Sequence, residues 1–123
     1  MVDYLVEAER SLAGEEFDKA QARRIAQRCV GRSTQVQAAV VNHPLADQGE
    51  PWRLRLSEIT RPCLVIHGSA DPLFPVANAE ALASEIPGAR LEVLAGVGHE
   101  LPPRIWGHVG KILVEHVRAA AGS

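Results

Sequence analysis

A chain of 123 residues with 46% hydrophobic residues and a formal charge of −2 has the balance of one globular domain, burying about two-thirds of its unfolded surface. The near-neutral charge excludes steering towards nucleic acid or anionic lipid by the overall field. No apolar run approaches the ~20 residues of a membrane span, the acidic start MVDYLVEAER does not read as a signal peptide, and Cys29 and Cys63 are too few for a disulfide framework, so a cytoplasmic location is expected.

Residues 2–13 predict a helix, with Leu5, Ala8 and Leu12 at helical spacing, broken at Gly14. A second helix is predicted over residues 15–30. Phe17, Ile25 and Cys29 fall at multiples of four, Glu15, Glu16 and Asp18 suit the positive end of a helix dipole, and Gly31 marks the stop. Arg24, Arg28 and Arg32 also recur every four residues. With acids on the same helix and no aromatic residues between them, they read as a solvated face rather than a phosphate-binding stripe. Ser33 is the candidate N-cap of a third helix running to about Asn42. The turn-rich stretch NHPLADQGEP at 42–51 then places a boundary near residue 50. Residues 56–62, LSEITRP, predict a short helical turn, stopped by the restriction that Pro62 puts on Arg61.

The most informative stretch is PCLVIHGSADPLFP, residues 62–75. Leu64, Val65 and Ile66 form a β-branched apolar run closed by His67-Gly68, which predicts a strand buried on both faces, as parallel strands are. The chain turns through Gly68, Ser69 and Ala70 and presents Asp71 between Gly68 and Pro72. In open α/β sheets, chemistry sits in loops just beyond the carboxyl ends of strands. Residues 76–86 predict a helix whose Ala79, Leu82 and Ile86 face the sheet, opened by Pro75 and ended by Pro87-Gly88. Residues 90–94 predict the last strand, followed by Gly96-Val97-Gly98-His99-Glu100. From Asp71 to His99 the interval fits one helix, one strand and two short loops. Residues 103–121 predict a closing helix with Ile105, Val109, Ile112, Leu113 and Val117 as its apolar stripe, and Arg104, His108, Lys111, Glu115 and Arg118 as its wet face.

Gly68-Ser69-Ala70-Asp71-Pro72-Leu73-Phe74-Pro75, followed by Gly98-His99-Glu100-Leu101-Pro102, resembles the carboxyl-terminal part of an α/β-hydrolase. It is most similar to small-ester hydrolases related to aclacinomycin methylesterase and to cofactor-free haloperoxidases. That family carries a nucleophile, an acid and a histidine in chain order. The resemblance implies that Asp71 is the triad acid and His99 the triad base. It covers residues 56–117 closely and places the helices before residue 50 in the cap over the pocket. It also implies a catalytic domain about twice as long as this chain.

A triad needs a base that takes the nucleophile's proton and returns it to the leaving group, and an acid that orients that base. No G-x-S-x-G occurs in the sequence. Ser69 lies in a glycine-containing turn, but two residues before the acid and without a strand-to-helix elbow, so it reads as a turn serine. Cys63 stands at the opposite end of its strand from Asp71, over ~10 Å away at ~3.3 Å per residue, and reads as a packing residue. The oxyanion donors of the first half of such a domain are missing as well. His67, Asp71, His99 and Glu100 lack the fixed spacings of zinc motifs, so no metal is expected, and no cofactor. His43, His108 and His116 read as surface or turn residues, and Glu100 as a local hydrogen-bonding neighbour of the base.

The expected fold is α/β: the C-terminal portion of an α/β-hydrolase fold, with the last two parallel strands and flanking helices at 51–123, preceded by helical cap elements at 1–50. The expected function is that of an esterase-like hydrolase carrying acid and base but not the nucleophile, inactive alone, whose substrate when completed is a small-molecule ester. The alternatives are a non-enzymatic interaction domain or a truncated product of a hydrolase gene. A two-stranded sheet leaves an uncovered edge, so self-association is expected, with neither nucleic acid nor membrane as partner.

Overall fold

A computed structural model describes residues 1–42, 45–47 and 49–122. The elements run α1 (Val2–Leu12), α2 (Lys19–Arg32), α3 (Val36–Asn42), a 3₁₀ segment (Arg53–Glu58), β1 (Leu64–Gly68), α4 (Val76–Glu85), β2 (Arg90–Leu94), a 3₁₀ turn (Pro103–Ile105) and α5 (Trp106–Ala121). Two apolar cores among the described residues hold them. In the first, Val6 of α1 packs on Ala22 and Ala26 of α2, flanked by Val2, Leu5 and Phe17. In the second, Leu94 of β2, Val97 and Val109 of α5 are joined by Ile66 and Ile105.

β1 and β2 pair in parallel, from Leu64 opposite Arg90 to Gly68 opposite Leu94. Successive side chains on a strand point to opposite faces. Ile66 and Leu94 therefore share one face, against Val109 of α5, and Glu92 on that face meets His108 of α5 at 2.6 Å. α4, which buries Ala79, packs against both strands. Both strands thus end on one side, at the loops that carry Asp71 and His99.

Several local expectations are corrected. α2 starts at Lys19 rather than residue 15: Asp18 is its N-cap, accepting the Gln21 N–H at 2.9 Å, while Glu15 and Glu16 lie in the preceding loop. Its buried residues are Ala22 and Ala26, whereas Ile25 and Cys29 are exposed. Small side chains at the contact let α1 and α2 approach closely. Gly31 does not stop the helix, which runs to Arg32. Ser33 accepts the Gln35 N–H in a turn, and the third helix begins only at Val36. The strand expected to be buried on both faces has Leu64 to His67 half-buried and only Gly68 buried, because its outer edge has no paired strand among the described residues. α5 begins at Trp106 after a 3₁₀ turn; it buries Val109 and Ile112 but leaves Leu113 and Val117 exposed. The 42–51 connector, with His43, falls partly outside the described residues; within it Gly49 N–H bonds Asp47 Oδ1 at 2.9 Å.

Candidate active site

Beyond β1, residues 69–71 fold back over the loop that follows β2. Gly68 makes this possible, since a Cβ there would collide with the Val97 carbonyl. Ser69 N–H donates to the Leu94 carbonyl and Ala70 N–H to the Val97 carbonyl, each at 2.9 Å. Ser69 Oγ accepts the Gly96 N–H at 2.9 Å, so this hydroxyl ties the two loops together, a turn role with a long-range partner.

Asp71 is held on both carboxylate oxygens. Oδ1 accepts the N–H groups of Leu73 (2.8 Å) and Phe74 (3.0 Å), and Oδ2 lies 2.8 Å from His99 Nδ1. An ionised carboxylate only accepts, so Nδ1 carries the proton and donates it. Burial, the largest influence, pushes the Asp71 carboxyl up. The Phe74 N–H, the His99 ring and the Leu73 N–H together outweigh it and hold the group below the ordinary carboxylate range. The acid is nearly buried, with its side chain 5% exposed, whereas His99 is 42% exposed. Its Nε2 has no hydrogen bond among the described residues. The Phe74 ring tilts against the imidazole at 5.5 Å between centroids.

His67, at the end of β1, donates Nε2–H to the Phe74 carbonyl at 2.9 Å and stands 3.9 Å from Asp71 Oδ2. It braces the acid's loop. Cys63 lies before β1, with Sγ 3.3 Å from the Arg61 carbonyl, away from Asp71. No group of three or more His, Cys, Asp or Glu side chains placed to hold a metal ion occurs among the described residues. No helix among them is long and apolar enough to cross a membrane.

Glu100 departs from the expected local role: it accepts the Gly14 N–H at 3.2 Å, reaching the segment after α1. That contact joins positions 86 residues apart, so no short-range sequence pattern announces it. On α1, burial and then the Glu100 carboxylate push the Glu9 carboxyl up, with His99 pulling the other way. Two hollows flank this region. One, of about 480 Å³, lies over His99 and is lined by Ile66, Phe74, Leu101, Val109 and Leu113. The other, of about 410 Å³, lies along α1 and α2 between Leu5, Ala8, Leu12 and Ile25, with Glu9 in its wall.

The geometry is that of an acid and a histidine at the ends of adjacent parallel strands, with one imidazole nitrogen committed and the other without a hydrogen bond among the described residues. The sequence profile described as alpha/beta hydrolase fold matches residues 8–102. The chain belongs to the α/β-hydrolase fold family. Rhodomycin D methylesterases of Streptomyces sp. (strain C5) and of Streptomyces peucetius are each 31% identical to it over 122 residues, covering 98% of this chain. This chain spans 41% of the length of either relative. A pimeloyl-[acyl-carrier protein] methyl ester esterase of Aromatoleum aromaticum is 44% identical over 48 residues, 39% of this chain and 19% of that protein. Among solved structures, an esterase from Exiguobacterium antarcticum superposes with a TM-score of 0.69 at 24% identity, covering 95% of this chain and 47% of that one, a likeness of fold. The α/β-hydrolase architecture here is its small parallel sheet with flanking helices.

Proposed function

We propose that this α/β-hydrolase chain supplies the acid and the base of a carboxylic-ester hydrolase, Asp71 and His99. The 2.8 Å contact between Asp71 Oδ2 and His99 Nδ1 carries the reading. With Nδ1–H fixed on the acid, Nε2 presents a lone pair beside an apolar hollow. There it takes the hydroxyl proton of a nucleophile as that oxygen bonds the ester carbonyl carbon. The imidazolium so formed is stabilised by the Asp71 carboxylate. It then returns the proton to the departing alkoxide as the C–O bond breaks, and the same nitrogen activates the water that releases the acid. The relatives named for methyl ester hydrolysis make a methyl ester of an apolar acid the substrate class to test.

On this reading, residues 51–123 serve as the C-terminal half of the catalytic core and residues 1–50 as a helical cover. The nucleophile and oxyanion donors come from outside these residues, since the sequence has no G-x-S-x-G and its best-placed serine, Ser69, is engaged with Gly96 N–H. The chain by itself is then expected to hydrolyse an activated ester no faster than free histidine, and to resist labelling by a serine-directed phosphonate. Phosphonate labelling that maps to a serine of this chain would overturn the division of labour.

A further inference from the structure

The loop that carries His99 is gripped from a second side, by the segment that follows α1. His99 N–H donates to the Leu12 carbonyl at 2.7 Å, and Glu15 N–H donates to the Gly96 carbonyl at 3.0 Å. Gly14 N–H donates to Glu100 Oε1 at 3.2 Å. Arg104 adds Nη2–H to the Gly96 carbonyl at 3.1 Å, while its Nε lies 3.5 Å from the Glu16 carboxylate. The last carbonyls of a helix lack intrahelical partners; at Leu12, the backbone of His99 supplies one. The two backbones touch so closely that a Cβ on Gly14 would collide with the Gly96 carbonyl and the Gly98 amide. A Cβ on Gly98 would collide with the Leu12 carbonyl.

A general base works only when held within about 0.5 Å of its productive position. The His99 side chain is 42% exposed; Asp71 bonds its ring through Nδ1 and Phe74 tilts against it, so the position of its backbone also bears on where the imidazole stands. We propose that Gly14 and Glu100 are positioning residues for His99, the Leu12–Glu15 segment setting where the imidazole stands relative to Asp71. The inference rests on reading His99 as the base. It makes the α1–α2 pair a support of the base as well as a cover: Val6, Ala22 and Ala26 anchor α1, and the end of α1 and the segment after it present Leu12 and Gly14 to the histidine loop.

The test is the tautomer ratio of the His99 ring, read from its imidazole ¹⁵N signals in the full chain at a pH where the ring is neutral. In the unaltered protein, the proton is expected on Nδ1. Glu100→Ala removes the acceptor for Gly14 N–H and is expected to lower the Nδ1–H to Nε2–H ratio about two- to tenfold, as weakening one ordinary hydrogen bond would. Glu100→Gln keeps an oxygen acceptor there and is expected to restore the ratio. Gly14→Ala, which forces the two backbones apart, is expected to act in the same direction; if it does not fold, the Glu100 pair decides. An unchanged ratio in Glu100→Ala, or a fall in Glu100→Gln as deep as in Glu100→Ala, would overturn the inference. Asp71→Asn separates the two readings. If it alters the ratio and Glu100→Ala does not, only the positioning role fails; if it leaves the ratio unaltered, the acid–base pairing itself fails.

Discussion

Asp71 combines burial with a low pKa, and the sign of its effect on stability follows. A carboxyl that is more acidic folded than unfolded stabilises the fold at every pH above the ordinary value of about 3.9, and that stabilisation is lost as pH falls through the folded value. Asp71→Asn keeps the Oδ1 acceptor for the Leu73 and Phe74 N–H groups but loses the charge facing His99. Its urea midpoint is expected below that of the unaltered chain at pH 7, with the gap closing in the acid range; parallel curves would contradict the depressed pKa. Glu9 carries the opposite sign. Its folded pKa is raised by burial and by Glu100, so its ionised form costs stability once pH climbs above about 4.3. Glu9→Gln is expected to raise the midpoint at pH 7 and leave it nearly unchanged at pH 3. The Asp71 and His99 motifs were legible in the sequence because each is local, a strand ending in Gly68 or Leu94 followed by a short turn. The role of Glu100 is not legible there, because its partner, Gly14, is 86 positions away and is a backbone group with no side chain to mark it.

Among the elements, the strands, α4 and the last helix were readable from β-branched runs, proline–glycine punctuation and 3.6-residue spacing. The start of α2 was not, because acids that favour a helix's first turn also favour the cap before it. The structure assigns the cap to Asp18 through the Gln21 N–H. Asp18→Ala is therefore expected to destabilise the chain by about 1 kcal/mol, and Asp18→Asn by much less. Denaturation of the two variants side by side checks this; equal losses would place the start of the helix elsewhere. The buried face of α2 does not follow its large apolar residues, for a related reason. Large apolar residues dominate any periodicity count, yet the contact with Val6 is made by Ala22 and Ala26. Small residues are informative only once the neighbouring helix is known. In α5, Leu113 and Val117 fit the apolar stripe but stay exposed.

Taken whole, the molecule places its apolar surface unevenly. β1 has one unpaired edge among the described residues, and Phe74, Leu101, Leu113 and Val117 are exposed near or beyond the hollow over His99. Exposed strand edges beside apolar surface recruit partners. Self-association is expected at high concentration in sedimentation velocity, and Val65→Lys on β1 is expected to reduce it; a sharp, concentration-independent monomer would speak against an accessible edge. The same face is where a nucleophile-bearing half has to sit if Asp71 and His99 are to act. The most direct test mixes or fuses this chain with the nucleophile-bearing segment of a related methyl ester esterase and follows methyl ester hydrolysis. Activity is expected only in the combination, with His99→Ala and Asp71→Asn each lowering it at least about 10³-fold, as losses within a triad do. Hydrolysis by the combination that survives His99→Ala at an unchanged rate would contradict the assignment of His99 as the base.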